Sequence, residues 1–556
     1  ALVDMSAAEH TFIIGCETPT YSGNFNAGST SLVIYDRNNS ISGSGGGQDI
    51  LTNIIYANLT VTGTDNKRTA NSFTVNSNLI VDGSTTNLQA NTSGKTLTLG
   101  GHLTLNSLAT MDDNCRLNLA IQTSGNASQI FSGNSKTIKC YNLKSIKTAG
   151  GISLTLNGTD DTKLNILNDL SLDFTSTSLF TDNGNTIEVG DDAEIGTATS
   201  AFTNFDFTGT LKFVMDGSAV STDAHLSAYD AINECKAKLN HLTIDPNASS
   251  IITEVDVYPT SGTKTIYING NVTIANTNAL PTQFRPYTNT LDVKGNWSTY
   301  AHTGLQATGS KVIFSSTTAL QTITANSDYE MFYNLEINNA NGVTANDDVR
   351  VANILTLTNG LFNTGSHEVH HQNSLTTSIV SYGLASYVNG NLRRNVNASG
   401  AYDFPVGNAS NYQLATVNLN SQTGMTSILA FFNTTITGTA PSYPTTTING
   451  DGINGILNSG FWTITPNVYT AANYDVTLYQ RGYTNFSGNA NQLGVIKRPN
   501  SASSWAGTNL AGSNGFHNNA TQTISAGTAT AKRTGVTAFS DFAIGYGANP
   551  LPIQLT

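Results

Sequence analysis

Hydrophobic and polar residues alternate in short segments along most of the first 380 positions. Seven of the ten segments quoted next end in Gly, in several cases after Asn or Asp, and these residues accept the positive φ angles of tight corners. The segments are 58–63 (NLTVTG), 78–83 (NLIVDG), 96–101 (TLTLGG), 153–158 (SLTLNG), 169–173 (DLSLD), 265–270 (TIYING), 290–295 (TLDVKG), 311–314 (KVIF), 334–338 (NLEIN) and 354–360 (ILTLTNG). This alternation predicts β-strands with one face buried and the other in water.

The spacing of these segments favours a parallel solenoid over a sandwich. Within 58–101 and within 265–360, neighbouring segments start about 18 to 25 residues apart. One coil of a parallel β-helix requires this spacing, whereas a sandwich turns every 8 to 12 residues. We therefore predict an all-β chain with a β-solenoid at 51–380 and an N-terminal cap at 1–50. Parallel crossovers are almost always right-handed, so a right-handed parallel β-helix is expected. Asn and Thr on successive coils can add hydrogen-bonded ladders.

The pattern changes near residue 380. Longer alternating runs such as 412–419 (YQLATVNL) and 474–479 (YDVTLY) resemble ordinary sandwich strands, and two of the three tryptophans, Trp462 and Trp505, lie in this part. We predict an antiparallel β-sandwich at 381–548, covering a solenoid end whose exposed sheet edge would otherwise be sticky.

Composition narrows the class of protein. The 556 residues are 38% hydrophobic and only 11% charged, whereas ordinary domains carry about a quarter charged residues. Twenty-two Phe and 21 Tyr argue against disorder. A net charge of −12 argues against a nucleic-acid partner. No apolar run reaches the roughly 20 residues of a membrane helix. The first residues lack the charged and apolar regions of a signal peptide, so we expect the chain to be a mature or internal segment of a longer precursor.

Three stretches carry a family resemblance, and each lies in the C-terminal half: 332–339 with 354–360, 386–394 with 402–407, and 542–547 with 550–555 (PLPIQL). They resemble large secreted and cell-surface β-repeat proteins of the Bacteroidetes, which the type IX secretion machinery exports. The resemblance implies an adhesin-like extracellular protein in which 549–556 leads towards a missing sorting domain. Gln554 replaces the acidic residue usual at that junction.

The most conspicuous chemical cluster is HEVHH at 367–371. On a strand, His367 and His371 face one way while Glu368 and His370 face the other, so no single face collects a full zinc ligand set. These four residues are weak metal candidates, and no cofactor is predicted. Arg393 or Arg394 with Asp403 is interpreted as a structural ion pair.

Acidic residues raise the alternative of a polysaccharide lyase with Ca²⁺ ligands and a basic catalytic residue. The candidates are Asp160-Asp161, Asp191-Asp192 with Glu194, and Asp347-Asp348. Each lies at a corner beside Gly or Asn, where Asp favours turns, and none has several Arg or Lys residues at coil spacing. No Gly-x-Ser-x-Gly motif marks a hydrolase.

The four cysteines form no CxxC pair. Cys115 and Cys140 are 25 residues apart, about one coil, so a disulfide between them competes with two buried thiols.

The leading hypothesis is a non-enzymatic extracellular structural or adhesive surface protein. Its expected partners are copies of itself, in a fibre or matrix, or cell-surface and matrix glycans. A polysaccharide-binding or lyase-like β-helix protein is the alternative.

Overall fold

The computed structural model shows how these segments pair. It describes residues 2–5, 9–26, 28–37, 47–112, 116–121, 128–159, 161–215, 223–227, 235–246, 254–258, 263–275, 282–300, 304–306, 308–325, 329–436, 447–448, 451–499, 503, 505 and 516–547. The described residues form strands and two short 3-10 helices, Phe202–Asn204 and Ala490–Gln492, and no α-helix. Two compact units divide the chain, residues 1–308 and 309–556.

Short strands of two to five residues build the first unit. They are β1 Leu2–Asp4, β2 Thr11–Ile14, β3 Asn24–Asn26, β4 Leu32–Tyr35, β5 Gly47–Asp49, β6 Ile55–Tyr56, β7 Asn58–Val61, β8 Asn66–Thr69, β9 Phe73–Val75, β10 Leu79–Val81, β11 Asn87–Ala90, β12 Lys95–Leu99, β13 Leu103–Leu105, β14 Thr110–Met111, β15 Leu117–Ile121, β16 Gln129–Ser132, β17 Thr137–Cys140, β18 Leu143–Lys147, β19 Ser153–Leu156, β20 Lys163–Ile166, β21 Leu170–Phe174, β22 Leu179–Thr181, β23 Thr186–Val189, β24 Ala193–Ile195, β25 Phe205–Asp206, β26 Thr210–Phe213, β27 Asp223–Leu226, β28 Lys238–Leu239, β29 His241–Ile244, β30 Glu254–Val257, β31 Thr265–Ile268, β32 Val272–Ile274, β33 Gln283–Arg285, β34 Thr290–Val293 and β35 Trp297–Thr299.

Successive strands of the first unit belong in turn to three parallel sheets. Within the described residues, the first sheet runs β2-β4-β7-β10-β13-β16-β19-β22-β25, and the third runs β6-β9-β12-β15-β18-β21-β24-β27-β30-β33. The second sheet contains β5, β8, β11, β14, β17, β20, β23, β26 and β29, among others. One strand from each sheet makes one coil, so the chain winds as a three-sided solenoid.

The core of the first unit consists of stacked apolar side chains. In the first sheet, Leu59, Leu79, Leu103 and Phe131 occupy the same register position on consecutive coils, and all are buried. The residues between inward positions are half-buried, which is the predicted period of two. Each coil thus buries its apolar residues against those of the coils on either side.

Close contact between coils restricts which residues fit at the corners. Gly83 has a φ of +113°, and a Cβ atom there would lie 2.3 Å from the carbonyl oxygen of Gly63 one coil away. Only glycine fits such a position. Asn58 and Asn78 lie at another corner, where the Oδ1 atom of each accepts a backbone N–H from the next coil, at 3.2 and 3.0 Å. The corners therefore contribute the expected polar ladder.

One coil in this part of the solenoid is longer than the 18-residue spacing of its segments suggests. Segments 78–83 and 96–101, which are 18 residues apart, contain β10 and β12 and lie on two sides of one coil. The residue that stacks on Leu79 is Leu103, 24 positions later. Alternation is the same on every side of the solenoid, so counting segments cannot tell a side from a coil.

The second unit begins with similar strands and continues with longer ones. They are β36 Lys311–Phe314, β37 Gln321–Thr324, β38 Tyr329–Asn338, β39 Val343–Ala345, β40 Asp348–Asn359, β41 Phe362–His371, β42 Ile379–Val380, β43 Val388–Asn395, β44 Gly400–Gly407, β45 Tyr412–Thr423, β46 Ser427–Asn433, β47 Thr447–Ile448, β48 Asp451–Ile456, β49 Phe461–Pro466, β50 Ala471–Arg481, β51 Leu493–Arg498, β52 Phe516–Ser525, β53 Thr528–Val536 and β54 Ser540–Gly547.

Parallel pairing holds the first part of the second unit together. Val312, Leu335, Leu355 and Ile379 stack in register through β36, β38, β40 and β42. An asparagine ladder runs beside them, because the Nδ2 atoms of Asn353 and Asn373 donate to Oδ1 of Asn334 and Asn353, at 2.9 and 3.1 Å. The repeats quoted from this part of the sequence are thus genuine consecutive coils.

Pairing becomes antiparallel within β43. This strand pairs in parallel with β41 and, at its first residues, with β44, and it pairs antiparallel with β46. The strands after β43 pair with one another antiparallel, as β45 does with β50. The buried residues here include Trp462 and a cluster of Ile453, Ile456, Phe461, Ile496, Trp505 and Ala543. The predicted all-β class, a parallel solenoid followed by antiparallel sheet strands, is confirmed.

The predicted domain limits stay predictions. Parallel pairing extends to β44, beyond residue 380, and the compact units divide at 308/309, inside the predicted repeat region. The strands β2 and β4, within the predicted cap, already belong to the first sheet. Residues 549–556 lie outside the described residues. No helix formed by the described residues has the length and hydrophobicity to cross a membrane.

Replacing an inward residue should destabilise the first unit far more than replacing its outward neighbour. Leu97 is fully buried between Phe73 and Leu119, whereas Thr98 points outward and is half-buried. In urea denaturation we expect Leu97→Ala to cost about 2–5 kcal/mol and Thr98→Ala to stay within about 0.5 kcal/mol. Equal losses for the two variants would contradict the inward and outward assignment.

Candidate functional site

The histidine-rich segment forms part of β41, and its side chains separate. Val369 and His371 are buried, while Glu368 and His370 are half-buried on the other side, as predicted. His367 does not share the buried face: it is 38% exposed and its Nδ1 atom lies 3.7 Å from Asp348. A register shift against β43 between Asn363 and Glu368 changes its direction.

Each member of this segment has its own partner. His371 Nε2 lies 2.6 Å from Ser378 Oγ, and His370 Nε2 lies 2.8 Å from Asn395 Oδ1. Burial and the nearby Arg394 charge together lower the pKa of His371 to about 3. Glu368 accepts two hydrogen bonds from Arg393, at 2.7 and 2.9 Å. The four weak metal candidates therefore do not form a ligand set.

The expected ion pair with Asp403 is wrong. Arg394 is fully buried and donates to backbone carbonyl oxygens instead, those of Asp403 and Leu375 at 2.7 and 2.9 Å. The Asp403 carboxylate accepts hydrogen bonds from the hydroxyl groups of Tyr382 and Thr416. Arginine can satisfy several carbonyl groups at once because its guanidinium carries five donors.

Other sequence candidates have structural roles or fall outside the described residues. Asp347 accepts the Ala325 amide at 2.8 Å, and Asp348 accepts that of Glu368 at 3.0 Å. Asp161 is exposed with a positive φ, whereas Asp160 lies outside the described residues. Cys115 also lies outside them, and Cys140 is buried in β17, so the disulfide stays a prediction.

The remaining acidic group, Asp191-Asp192 with Glu194, belongs to a larger arrangement of polar residues on the third sheet. In-register pairing places one polar residue per coil, just before or within a strand, at equivalent positions. We call this set the polar column: Asn142, Asp169, Asp192, His225, Asp256 and Arg285. Their neighbours one position further on, such as Leu143, Leu170 and Leu226, are buried, so the column follows the outward face of the sheet.

Asp192 and His225 form the central contact of the polar column. Asp192 Oδ1 accepts hydrogen bonds from both the backbone N–H and the Nδ1 of His225, at 2.9 and 2.7 Å. The His225 ring packs edge-on against Tyr258 with ring centres 4.5 Å apart. Burial alone would lower the pKa of His225, but the bond to Asp192 and the carboxylates of Asp192 and Asp223 raise it.

Arg285 ends the described part of the column. It donates to both oxygens of the buried Asp256 carboxylate, at 2.5 and 2.7 Å, and contacts Glu254. Asp256 also accepts the Tyr287 hydroxyl at 2.7 Å, and burial with this bond raises the pKa of Tyr287 to about 12. A two-pronged guanidinium is the strongest common partner of a carboxylate, so this end of the column is rigidly held.

The residues Asp223, His225 and Asp256 are close enough to share a metal ion, with ligand atoms within 4.8 Å of one another. The positive charge next to these residues argues against a bound metal ion. Arg285 is bidentate to Asp256 and lies 3.7 Å from Asp223, so a fixed positive charge already faces both carboxylates. A divalent ion would be repelled by this guanidinium and would have to break its hydrogen bonds.

Two carboxyl groups, the buried Asp191 and the half-buried Asp169, lie beside the Asp192–His225 contact. Burial and the charges of Asp192 and Asp169 together raise the pKa of Asp191 to about 7. Burial also raises the pKa of Asp169, together with Asp192 and Glu194. These groups titrate in or towards the range where acid–base catalysts operate.

A surface cavity of about 250 Å³ opens over this part of the column. Its polar lining comprises Asn142, Lys144, Asp169, Ser171, Asp192, Glu194 and His225. We call it the column cleft. Lys144, Ser171 and Glu194 are themselves in register on β18, β21 and β24. With His225 on β27, the cleft spans four adjacent coils.

Only part of this site was visible in the sequence. Asp191, Asp192 and Glu194 were noted, but Asp169, His225, Asp256 and Arg285 were missed as members of one site. Asp192 and His225 are 33 residues apart, and Asp256 and Arg285 are 29 apart, longer than the 18 to 25 residues expected of a coil. The sequence signal that could have revealed these members is a polar residue immediately before an inward apolar residue, as in 169–170 and 225–226.

Comparison of the chain with protein-family models, with curated proteins and with solved structures finds no match in any of the three.

The protonation of Asp191 should make the first unit less stable as pH rises. Its pKa of about 7 in the folded protein exceeds the roughly 3.9 of an unfolded Asp, so the folded state binds the extra proton in between. Stability is therefore lost as pH rises from about 4 to 7. We expect Asp191→Asn to be more stable than the parent at pH 8 by at least about 1 kcal/mol, and the gain to vanish at pH 4.

The stability difference between Asp191→Asn and the parent can be measured by amide hydrogen exchange of residues 186–195 in urea. The exchange is measured at pH 4 to 8 and corrected for intrinsic rates. Asp161→Asn removes a charge from an exposed corner in the same unit and should give no pH-dependent gain. A gain from Asp191→Asn that does not change with pH would refute the assignment of a buried, proton-binding carboxyl group.

Proposed function

We propose that this protein is an extracellular adhesive surface protein whose solenoid binds neutral glycans in the column cleft. The observation that carries the proposal is the cleft itself, an open cavity on the flat outer face of a parallel sheet, lined by polar side chains from adjacent coils. Flat solenoid faces provide extended binding surfaces, along which a chain-like ligand can lie.

The chemistry of the lining suits sugar hydroxyl groups. The carboxylates of Asp169, Asp192 and Glu194 accept hydrogen bonds, while Lys144 donates them and Ser171 can do both. The site is acidic, because three carboxyl groups face one lysine and one histidine. An acidic polysaccharide would be repelled here, so the lyase-like alternative is the weaker one and a neutral glycan is the better ligand.

Surface location and export rest on the sequence. The resemblance of 386–394 and 550–555 to secreted Bacteroidetes repeat proteins supports an extracellular adhesin exported by the type IX machinery. The low fraction of charged residues, 11%, and the long parallel solenoid agree with a surface or matrix role. In this proposal the protein is primarily a binding and structural component.

Self-association is a second candidate, favoured by one strand. In the described residues β2 pairs within the first sheet only with β4, and its Phe12 and Ile13 side chains are 41% and 58% exposed. A sheet edge with exposed apolar side chains can pair with another chain, which would build a fibre or matrix.

Blocking the column cleft should abolish glycan binding. Ser171 points outward between Lys144 and Glu194, so Ser171→Trp would fill the cleft without entering the core. Thr155→Trp is the matched control, because Thr155 points outward on the first sheet of the same coil. On an array of neutral oligosaccharides we expect at least tenfold weaker binding for Ser171→Trp and unchanged binding for Thr155→Trp. Equal binding by both variants, or none by the parent protein, would refute the proposal.

Self-association can be tested by electron microscopy and sedimentation. We expect filaments or concentration-dependent oligomers of the parent protein, and their loss when Phe12→Ser and Ile13→Thr are combined. Thr60→Ser, a change on the outward face of β7, which lies beyond β4 in the same sheet, should leave assembly unchanged. A parent protein that remains monomeric at high concentration would remove this candidate and leave glycan binding unaffected.

A further inference from the structure

A second surface cavity lies in the antiparallel part of the second unit. Its volume is about 650 Å³, within the roughly 300–1,000 Å³ of ordinary ligand sites. Side chains of β46, β49 and β54 contribute to its walls. We call it the threonine cleft, after a polar lining that includes Asn433, Thr434, Thr435, Thr463, Thr465 and Asp541.

The cleft follows the outward side of β49. Trp462 and Ile464 are fully buried, whereas Thr463 is half-buried and Thr465 is exposed, so the threonines alternate with core residues. Thr463 lies directly opposite Asp541 of β54, and residues that face each other in this way share one side of a sheet. The pairing of the strands therefore brings polar groups from neighbouring strands to one cavity.

A chain of hydrogen bonds fixes these polar groups. The Nδ2 atom of Asn433 donates to Oγ1 of Thr463 at 2.9 Å, and that hydroxyl group donates to Oδ1 of Asp541 at 2.8 Å. The Nε atom of Arg498 donates to the other carboxylate oxygen, Oδ2, at 3.0 Å. These bonds do not use Oδ1 of Asn433 or the second hydrogen on its Nδ2 atom. The cleft thus presents oriented groups that can bond to a ligand.

Asp541 is a buried charge in the wall of the cleft. Only 7% of the residue is exposed, although it lines the cavity. Its partner Arg498 is also buried, and the guanidinium lies over the rings of Phe461 and Trp505, 4.8 and 4.5 Å from their centres. A buried ion pair is a poor source of net stability. This one instead holds a carboxylate in a fixed orientation beside an open cavity, as a binding site requires.

The lining favours a neutral ligand with hydroxyl groups. Among the described lining residues Asp541 is the only ionisable one, and Arg498 already pairs with it. The threonine hydroxyl groups and the Asn433 amide can each donate and accept hydrogen bonds, as the hydroxyl groups of a sugar do. Phe461 and Pro499 supply apolar surface for the C–H groups of a sugar ring. Strand β49 pairs on both sides, so it offers no free edge to a peptide.

We propose that the threonine cleft is a second sugar-binding site, which holds one neutral monosaccharide unit through Asn433, the cleft threonines and Asp541. It is separate from the column cleft and does not depend on the function proposed there. The hydrogen-bonded network crosses only from β46 to β54, two strand spacings or about 10 Å, which one sugar ring and its hydroxyl groups can cover.

A single sugar unit should bind this cleft weakly. With about twelve non-hydrogen atoms and ordinary ligand efficiency, a monosaccharide should have a Kd of about 1 mM. Binding of this strength is too weak to be retained on an oligosaccharide array, so the array test of the column cleft and the test of the threonine cleft are separate measurements.

The test is binding of methyl glycosides to the full chain, measured by saturation-transfer NMR. The probes are the methyl glycosides of glucose, galactose, mannose and N-acetylglucosamine. Methyl glucuronide, which is charged, and a neutral tetrapeptide are the comparison ligands. We expect at least one neutral glycoside to bind the parent protein with a Kd of about 1 mM.

Four variants locate the binding. Thr465→Trp should fill the cleft from its exposed end and abolish binding, and Thr423→Trp is the matched control, because Thr423 is an exposed threonine at the end of β45. Asn433→Ala should weaken binding about fivefold through the loss of about one hydrogen bond. Ser171→Trp, which fills the column cleft, should leave glycoside binding unchanged.

The outcomes separate this inference from the proposed function. Glycoside binding that is lost in Thr465→Trp, weakened in Asn433→Ala and kept in Thr423→Trp and Ser171→Trp supports the assignment. Binding that is lost in Ser171→Trp instead places the sugar in the column cleft, which overturns this inference and agrees with the proposed function. Binding of the peptide or the glucuronide alone, no glycoside binding by the parent, or full binding by Thr465→Trp also overturns it, and none of these results affects the test of the column cleft.

Discussion

The backbone hydrogen bonds between successive coils are the interaction on which the first unit depends. They fix every coil in register with the next, so a side chain's position is set by its place in its own coil and not by its number along the chain. The inward stack of Leu59, Leu79, Leu103 and Phe131 stabilises this register, because a shift by one residue would expose all four. Packing and chemistry both follow from this constraint.

The same register creates the polar column. Once Leu170, Ala193 and Leu226 are aligned inside the solenoid, the residues before them, Asp169, Asp192 and His225, must meet outside it. The charge of Asp192 then helps to raise the pKa of both Asp169 and His225, and the bond between Asp192 and His225 fixes one carboxylate over an open cavity. A site of this kind needs no specialised loop, since the sheet itself places its members.

Local patterns in the sequence predict the strands and their parallel stacking, but not the site. Alternation identifies β7, β10 and β12 correctly, yet it cannot show that β10 and β12 share a coil. The polar column is hidden because 33 residues separate Asp192 from His225, so no fixed period connects them. The histidines at 367–371 are conspicuous only because they are consecutive. The pleat of β41 separates them, and His370 and His371 bond to different elements.

The most direct test of this account is the coupling between Asp192 and His225 across their long connection. Asp192→Asn, His225→Gln and the double variant form a cycle, with local stability read from hydrogen exchange of β24 and β27. A register that brings the two side chains into contact predicts a coupling energy of about 1–3 kcal/mol. A coupling within about 0.3 kcal/mol of zero would show that they do not meet and would contradict the account.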